Sequence, residues 1–164
     1  VTPNPRSVYG KTKLDGELAM QKINPENSII IRTSWVYSKF GNNFVKTMLR
    51  LGKEHKKLSV VADQIGTPTN AADLAKAILI ILPKINNKTV DLFHYSNEGI
   101  CSWYDFAKAI FEIGGLTLSV SPIETKDYPT PAKRPCYSVL NKRKIKEVYH
   151  IDIPYWKDSL MGNL

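Results

Sequence analysis

The sequence predicts an α/β fold built on a mainly parallel β-sheet. Segments with helical periodicity alternate with short β-branched segments, which is the pattern of βαβ units. The run Ile29-Ile30-Ile31 is apolar throughout and short, as expected for a parallel strand buried on both faces. In a chain of 164 residues, 43% hydrophobic and 23% charged residues are typical of a globular protein with a sizeable core.

Local signals bound the first elements of the fold. Ser7 can cap a helix over residues 8–22, which Asn24-Pro25 stops. A strand over residues 28–34 follows, and it contains the isoleucine run. Asn42 or Asn43 can then cap a second helix that ends near residue 55.

The remaining elements continue the alternation of strands and helices. We expect strands over residues 58–62, 90–96 and 116–120, and helices over residues 70–82, 102–113, 141–149 and 155–161. Pro83 closes the first of these helices, and Gly114-Gly115 ends the second. The Pro-rich stretch over residues 122–135 has the length of a functional loop.

Charge and cysteine content narrow the function classes. Basic residues cluster between residues 133 and 146 in a chain of net charge +8, but no nucleic-acid motif accompanies them, so we expect a solvated basic face and no nucleic-acid partner. The two cysteines and three histidines stand in no metal-ligand spacing, which predicts reduced thiols and no metal site. The longest apolar run, 77–82, is too short to span a bilayer, and no signal peptide is visible; we therefore expect a cytoplasmic protein with no membrane partner.

Tyr9 and Lys13 form the pattern with the most chemical content. Residues four apart on a helix share one face, with about 5–6 Å between their Cβ atoms. An ammonium at that distance favours the phenolate form of a tyrosine, so the pair could exchange a proton with a carbonyl or an alcohol. Glu17, one turn further on, could form an i to i+4 ion pair with Lys13. Tyr104 and Lys108 have the same spacing, but their segment has the apolar periodicity of an amphipathic helix laid on a core.

The surroundings of Tyr9 resemble a known enzyme family. Residues 9–17 read YGKTKLDGE, residues 31–37 read IRTSWVY and residues 41–44 read GNNF. Further along, DQIGTPT over 63–69, SWYDFA over 102–107 and KRP over 133–135 follow in the family's order. Across essentially its whole length the chain resembles the extended short-chain dehydrogenase/reductases, and most closely the dTDP-4-dehydrorhamnose reductase family.

The resemblance implies a fold, a reaction and a cofactor. The chain would be the C-terminal part of a Rossmann-like doubly wound parallel sheet together with a smaller α/β substrate-binding lobe. Residues 1–57 would end the NAD(P)-binding domain, and residues 58–164 would form mainly the substrate-binding lobe, with some interleaving. The reaction implied is reduction of a 4-keto-6-deoxy nucleotide sugar by hydride from NADPH or NADH. Tyr9 would donate the proton and Lys13 would hold the nicotinamide ribose, so both are catalytic and cofactor-binding candidates.

The sequence lacks one feature of that family. A Gly-rich turn normally receives the dinucleotide pyrophosphate at a helix N-terminus, and neither G-x-x-G-x-x-G nor G-x-G-x-x-G occurs in the chain. We therefore expect this chain to be the C-terminal portion of a longer enzyme and to be inactive by itself.

Five further residues are candidates for binding a nucleotide-diphosphate sugar: Trp35, Asn42, Asn43, Gln64 and Arg134. The resemblance implies that Trp35 contacts the sugar. Trp35 also lies just beyond the carboxyl end of a predicted strand, which is where ligands of open α/β sheets bind. Asn42 and Asn43 could cap a helix and donate to a diphosphate at the same time, with capping alone as the alternative. Gln64 lies in a turn with Gly66 and Pro68, and the alternative to a binding role is that these residues only set the shape of the turn. Arg134 could hold the phosphates through its forked guanidinium.

Two alternatives remain open from the sequence. The first is another extended short-chain enzyme, such as a nucleotide-sugar epimerase or dehydratase; dehydratases usually place an acid beside the tyrosine, where this chain has Gly10. The second is a non-catalytic module resembling the regulatory subunit of methionine adenosyltransferase. Relatives of the reductase kind can form homodimers, sometimes with a bridging divalent ion, so a homodimer and an interface ion are further expectations.

Overall fold

The computed structural model describes residues 3–130 and 134–164, and these form the α/β fold that the sequence predicts. The described helices are α1 (Val8–Ile23), α2 (Phe44–Glu54), α3 (Ala71–Ile81), α4 (Trp103–Ile113), α5 (Arg143–Tyr149) and α6 (Trp156–Met161). The described strands are β1 (Ile29–Arg32), β2 (Val36–Tyr37), β3 (Lys57–Val61), β4 (Ile65–Gly66), β5 (Thr69–Asn70), β6 (Asp91–His94), β7 (Cys101–Ser102) and β8 (Ser119–Ile123). Short 3₁₀ turns lie at Leu82–Lys84 and Thr125–Asp127.

Strand pairing in the described residues is mainly parallel, as predicted. β1 pairs with β6 in parallel, so that Ile29 lies opposite Asp91 and Arg32 lies opposite His94. The pairs β2–β5 and β3–β8 are also parallel, whereas the two-residue strands β4 and β7 pair antiparallel. The β1–β6 pair therefore brings two carboxyl-terminal strand ends side by side.

The helix starts follow the capping residues of the sequence. Ser7 Oγ accepts from the Gly10 amide at 3.1 Å and begins α1, and Asn43 Oδ1 accepts from the Lys46 amide at 3.2 Å and begins α2. Of the two asparagines considered for this second cap, Asn43 is therefore the one that serves.

One strand is shifted relative to its predicted position. The strand expected over 116–120 runs instead from Ser119 to Ile123, because the residues just before it complete the turn after α4, where the Leu116 amide donates to the Phe111 carbonyl at 2.9 Å. Pro122 consequently lies inside β8, opposite Val60, rather than at the start of a loop. An edge strand tolerates a proline because one side of the strand needs no ladder donor.

The core of the described residues consists of two hydrophobic clusters. The first surrounds Phe106 of α4 and draws on α2, β3 and α6, while the second surrounds Phe93 of β6 and draws on α3, α5 and β1. The first cluster also contains Tyr37 and Val45, so residues before and after position 57 pack together, and a domain boundary at residue 57 stays a prediction. None of the described helices has the length and apolar character that a membrane crossing requires.

Candidate active site

A groove of about 640 Å³ lies between α1 and the carboxyl-terminal end of β1. We call it the Tyr9 groove, and it is lined in part by Tyr9, Lys13, Glu17, Arg32 and Thr33. Tyr9, Lys13 and Glu17 are spaced four residues apart along α1, so they share the face of the helix that borders the groove. The Lys13 ammonium lies 5.4 Å from the centroid of the Tyr9 ring, and Tyr9 is 71% exposed. The phenol and the amine thus stand together, open to a ligand.

The second Tyr-x-x-x-Lys pair lies in a different environment. Its helix, α4, buries Phe106, Ala107 and Ile110, and Tyr104 packs half-buried against the first hydrophobic cluster. The interpretation of this segment as an amphipathic helix on the core is confirmed.

Glu17 binds Arg32, so the prediction from helical spacing that Glu17 pairs with Lys13 is wrong. The Arg32 guanidinium donates from Nε to Glu17 Oε1 at 2.7 Å and from Nη2 to Glu17 Oε2 at 2.6 Å. The hydrogen bond to Glu17 raises the pKa of Arg32 further above its ordinary value. Sequence reasoning missed Arg32; its signal was a charged residue ending an otherwise apolar strand.

His94 lies beside Arg32 on the neighbouring strand and is the second residue that sequence reasoning missed. Its Nε2 atom is buried and has no hydrogen-bond partner among the described residues. Burial, and after it the positive charge of Arg32, lowers the pKa of His94 below its ordinary value. The lowered pKa favours the neutral imidazole at pH 7.

A second groove, of about 380 Å³, brings together two of the predicted substrate-binding residues. We call it the Gln64 groove; Gln64 and Arg134 line it together with the aromatic side chains of Phe44, Trp103 and Tyr128. Gln64 is buried, and its Nε2 donates to Thr125 Oγ1 at 3.0 Å. The groove therefore combines an apolar aromatic wall with an amide and a guanidinium.

The structure places the other three substrate-binding candidates as follows. Trp35 stacks on Trp103 with ring centroids 3.6 Å apart and so backs the wall of the Gln64 groove. Asn42 is exposed in the loop before α2. The amide of Asn43 donates to the Ser38 carbonyl at 2.7 Å and to the Phe40 carbonyl at 3.4 Å, so the same side chain caps α2 and ties down the preceding loop.

The two grooves are joined by the segment that leaves β1. Thr33 lines the Tyr9 groove, and Trp35, two residues later, backs the Gln64 groove through Trp103. Two residues of extended chain span at most about 7 Å. The segment is held at Thr33 Oγ1, which donates to Thr69 Oγ1 at 3.2 Å, and at Ser34 Oγ, which donates to the Thr67 carbonyl at 3.0 Å. Segment 33–35 therefore places the edge of one groove and the back wall of the other close together along the chain.

Comparison with known proteins matches residues 2–164 of this chain to a family model described as the RmlD substrate binding domain. The chain belongs to this family, that of the dTDP-4-dehydrorhamnose reductases. The dTDP-4-dehydrorhamnose reductase of Sinorhizobium fredii is 45% identical over 163 residues, which cover 94% of this chain and 55% of that protein. The spore coat polysaccharide biosynthesis protein SpsK of Bacillus subtilis is 43% identical over 157 residues, which cover 96% of this chain and 53% of that protein.

Solved structures of the family share the fold. The dTDP-4-dehydrorhamnose reductase of Clostridium acetobutylicum matches with a TM-score of 0.91 and 47% identity over 99% of this chain and 56% of that one. The enzyme of Bacillus anthracis, solved in complex with NADP, matches with a TM-score of 0.92 and 39% identity over 99% of this chain and 57% of that one. This family member thus spans about half the length of the curated relatives it matches.

The described residues also bear on metal binding, which needs a group of ligating side chains. Among residues 3–130 and 134–164, no group of three or more histidine, cysteine, aspartate or glutamate side chains could hold a metal ion. The divalent ion expected at a dimer interface is therefore not supported by the described residues of this chain.

Proposed function

We propose that the protein to which this chain belongs reduces a 4-keto-6-deoxy nucleotide sugar with NADPH or NADH, of the type that converts dTDP-4-dehydrorhamnose to dTDP-rhamnose. The observation that carries the proposal is the Tyr9–Lys13 pair, exposed on a groove at the carboxyl end of a parallel strand. The proposal is also supported by relatives named dTDP-4-dehydrorhamnose reductase in several bacteria, which are 38–45% identical to this chain.

The residues of the Tyr9 groove fit one part of a nicotinamide cofactor. A phenol and an ammonium on one helix face can bind the hydroxyls of a ribose, and the groove at a strand's carboxyl end is where ligands of open α/β sheets bind. A bound reduced nicotinamide supplies the hydride that the carbonyl carbon of the sugar accepts. Tyr9 and Lys13 would hold its ribose; the residues of a Gly-rich turn are not in this sequence.

The chain's own side chains handle the proton of the reaction. Tyr9 Oη donates its proton to the carbonyl oxygen of the sugar, which becomes the new hydroxyl. The Lys13 ammonium stabilises the negative charge that this leaves on the Tyr9 oxygen, besides orienting the ribose. Tyr9 and Lys13 are therefore the catalytic residues of the proposal.

The nucleotide part of the substrate would occupy the Gln64 groove. Its aromatic wall of Phe44, Trp103 and Tyr128 suits the face of a base, and Arg134 suits a diphosphate. Trp35 and the residues before it connect this groove to the Tyr9 groove, where the sugar carbonyl would lie.

Because the chain holds the catalytic pair and no Gly-rich turn for the pyrophosphate of the cofactor, we predict that the 164 residues do not turn over substrate by themselves. A cytoplasmic location and a homodimer remain predictions alongside it. Turnover by the isolated chain with added cofactor would contradict the predicted inactivity.

The decisive experiment compares two tyrosine variants of the full-length protein. Tyr9→Phe removes the proton donor but keeps the ring, so we expect kcat for dTDP-4-dehydrorhamnose reduction to fall by about 10²- to 10⁴-fold. The rate is followed by the loss of the absorbance of the reduced nicotinamide. Tyr104→Phe, in the matching motif on α4, is the control and should keep a rate near that of the wild type.

Two outcomes would end the proposal. An unchanged rate in Tyr9→Phe would remove Tyr9 as the acid. A well-folded wild-type protein that oxidises no cofactor with this substrate, yet forms a stable complex with a synthetase, would favour the regulatory module instead.

A further inference from the structure

Helix α1 is joined to the rest of the described chain by a single hydrogen-bonded side-chain link. None of its sixteen residues is buried, and Val8 and Ile23 at its two ends are both largely exposed. Among residues 3–130 and 134–164, the side-chain hydrogen bonds between α1 and another element are the two that Arg32 of β1 donates to Glu17. Within the described part of this chain, which spans about half the length of its relatives, this ion pair is the side-chain hydrogen-bonded contact that ties the Tyr9–Lys13 face to β1.

The Glu17–Arg32 pair is suited to setting a helix in place. Both carboxylate oxygens take part, at 2.7 Å and 2.6 Å, and a bidentate pair fixes orientation as well as distance. The Glu17 side chain is 14% exposed and that of Arg32 is 36% exposed, so the pair is partly shielded from water. Arg32 is itself held in β1, in register with β6.

The same pair decides which partner Lys13 keeps. Glu17 is one turn from Lys13 on the same face, at the spacing where a carboxylate and an ammonium meet. With both oxygens on Arg32, Glu17 leaves the Lys13 ammonium beside the Tyr9 ring, 5.4 Å from its centroid. If Arg32 were removed, a shielded carboxylate would lose its counter-charge, and the two groups that could replace it are Lys13, one turn away on α1, and His94, whose pKa the Glu17 charge acts to raise.

We propose that Arg32 is a positioning residue for the Tyr9–Lys13 pair: its guanidinium takes the Glu17 carboxylate, so that Lys13 stays with Tyr9 and α1 stays seated on β1. Arg32 touches neither Tyr9 nor Lys13 in this role and acts through Glu17. The inference rests on the reductase function proposed above.

The test uses the full-length protein and three variants: Arg32→Met, the double variant Glu17→Gln/Arg32→Met, and Arg50→Met as the control. Arg50 forms an exposed i to i+4 pair with Glu54 on α2. In Arg32→Met we expect kcat to fall by about 10- to 100-fold with little change in KM for the nucleotide sugar, because the reacting groups are displaced rather than the sugar-nucleotide contacts. The double variant should regain part of the lost kcat, because a neutral glutamine does not draw Lys13 away.

A merely structural role of Arg32 also predicts recovery in the double variant, because removing both partners of a shielded ion pair leaves no unpaired charge. It predicts further that kcat follows the fraction of folded enzyme, whereas a positioning role lowers kcat in Arg32→Met at a temperature where denaturant unfolding shows every variant to be fully folded. A double variant no faster than Arg32→Met, or an Arg32→Met enzyme as fast as Arg50→Met, overturns the inference. Arg32→Lys, which cannot donate in bidentate fashion, should lie between Arg32→Met and the wild type.

A crystal structure of the full-length Arg32→Met variant supplies a readout that does not depend on turnover. We expect the Glu17 carboxylate within about 4 Å of the Lys13 ammonium, the distance of an ion pair. A Glu17 side chain that leaves Lys13 beside Tyr9 overturns the inference. A wild-type enzyme that does not reduce the substrate refutes the proposed function, while this crystallographic arm still decides the role of Arg32.

Discussion

At the scale of single residues, Trp35 is held in a backbone conformation that few bulky side chains adopt. Its φ of 49° lies in the left-handed region, and its ring stacks on Trp103 at 3.6 Å between centroids. A Cβ atom added to Gly66 would stand 2.6 Å from that ring, closer than packing allows. The absence of a side chain at Gly66 thus lets Trp35 lie against the wall of the Gln64 groove.

This contact predicts opposite effects for two glycine substitutions. Gly66→Ala must displace the Trp35 ring and should lower the free energy of unfolding by about 1–3 kcal/mol. Gly16→Ala, on α1 with nothing within 4 Å of the added methyl group, should raise it by about 0.4–1 kcal/mol. Denaturant unfolding followed by tryptophan fluorescence measures both, and equal effects of the two substitutions would contradict the steric account.

At the scale of elements, a buried polar network joins α3, the segment after β6 and α6. Asn97 is fully buried; its Oδ1 accepts from the Asn70 amide at 2.7 Å, and its Nδ2 donates to Asp73 Oδ2 at 2.8 Å and to Ser159 Oγ at 2.9 Å. Asn70 in turn caps α3 through the Ala72 amide at 2.8 Å. Sequence reasoning missed this network because its members are distant along the chain.

Removing the centre of the network should be costly. Asn97→Ala removes the acceptor of the buried Asn70 backbone amide and one donor each from Asp73 and Ser159, which stay hydrogen-bonded to each other, so we expect a loss of about 3 kcal/mol in the free energy of unfolding. Asn86→Ala, at an exposed position, should change it by less than about 0.5 kcal/mol. Chemical denaturation of both variants checks the difference; similar midpoints would show that the network adds little.

At the scale of the whole molecule, three groups link stability to pH in the same direction. Burial, and then Arg32, lowers the pKa of His94. Hydrogen bonds from the Thr125 backbone and hydroxyl lower the pKa of Asp63. Burial acts upward on Glu98, but the hydrogen bond from Lys146 and the charge of Lys142 outweigh it, so its pKa also lies below the ordinary value. Each group binds fewer protons folded than unfolded, so acidification destabilises the fold.

The pH window follows from the ordinary pKa values. As the pH falls through 6.5, the ordinary pKa of histidine, His94 begins to lower the free energy of unfolding. Glu98 and Asp63 do the same below their ordinary pKa values of 4.5 and 3.8. The melting temperature should therefore drop between about pH 7 and about pH 5, and His94→Gln should flatten this part of the profile. A wild-type profile that is flat over this range, or a variant profile as steep as the wild type, would refute the assignment to His94.

The sequence by itself determined the features that local interactions control. Ser7 and Asn43 cap the two helices as expected. A cap depends only on a side chain that accepts a hydrogen bond from a backbone amide three residues further along the chain. Tyr9 and Lys13 share a face because the helical repeat brings residues four apart together. The parallel pairing was predictable in kind from the alternation of strands and helices, although the shift of β8 was not.

Only the tertiary structure decided which partners the site residues take. Helical spacing predicted that Glu17 would pair with Lys13. The Glu17 carboxylate binds Arg32 instead, because β1 is next to α1 and the guanidinium binds both carboxylate oxygens at once. Gln64 and Arg134 meet in one groove because loops distant in sequence converge there. Contacts of this kind depend on how strands and helices are placed in space, and the periodicity of a single segment carries no record of that placement.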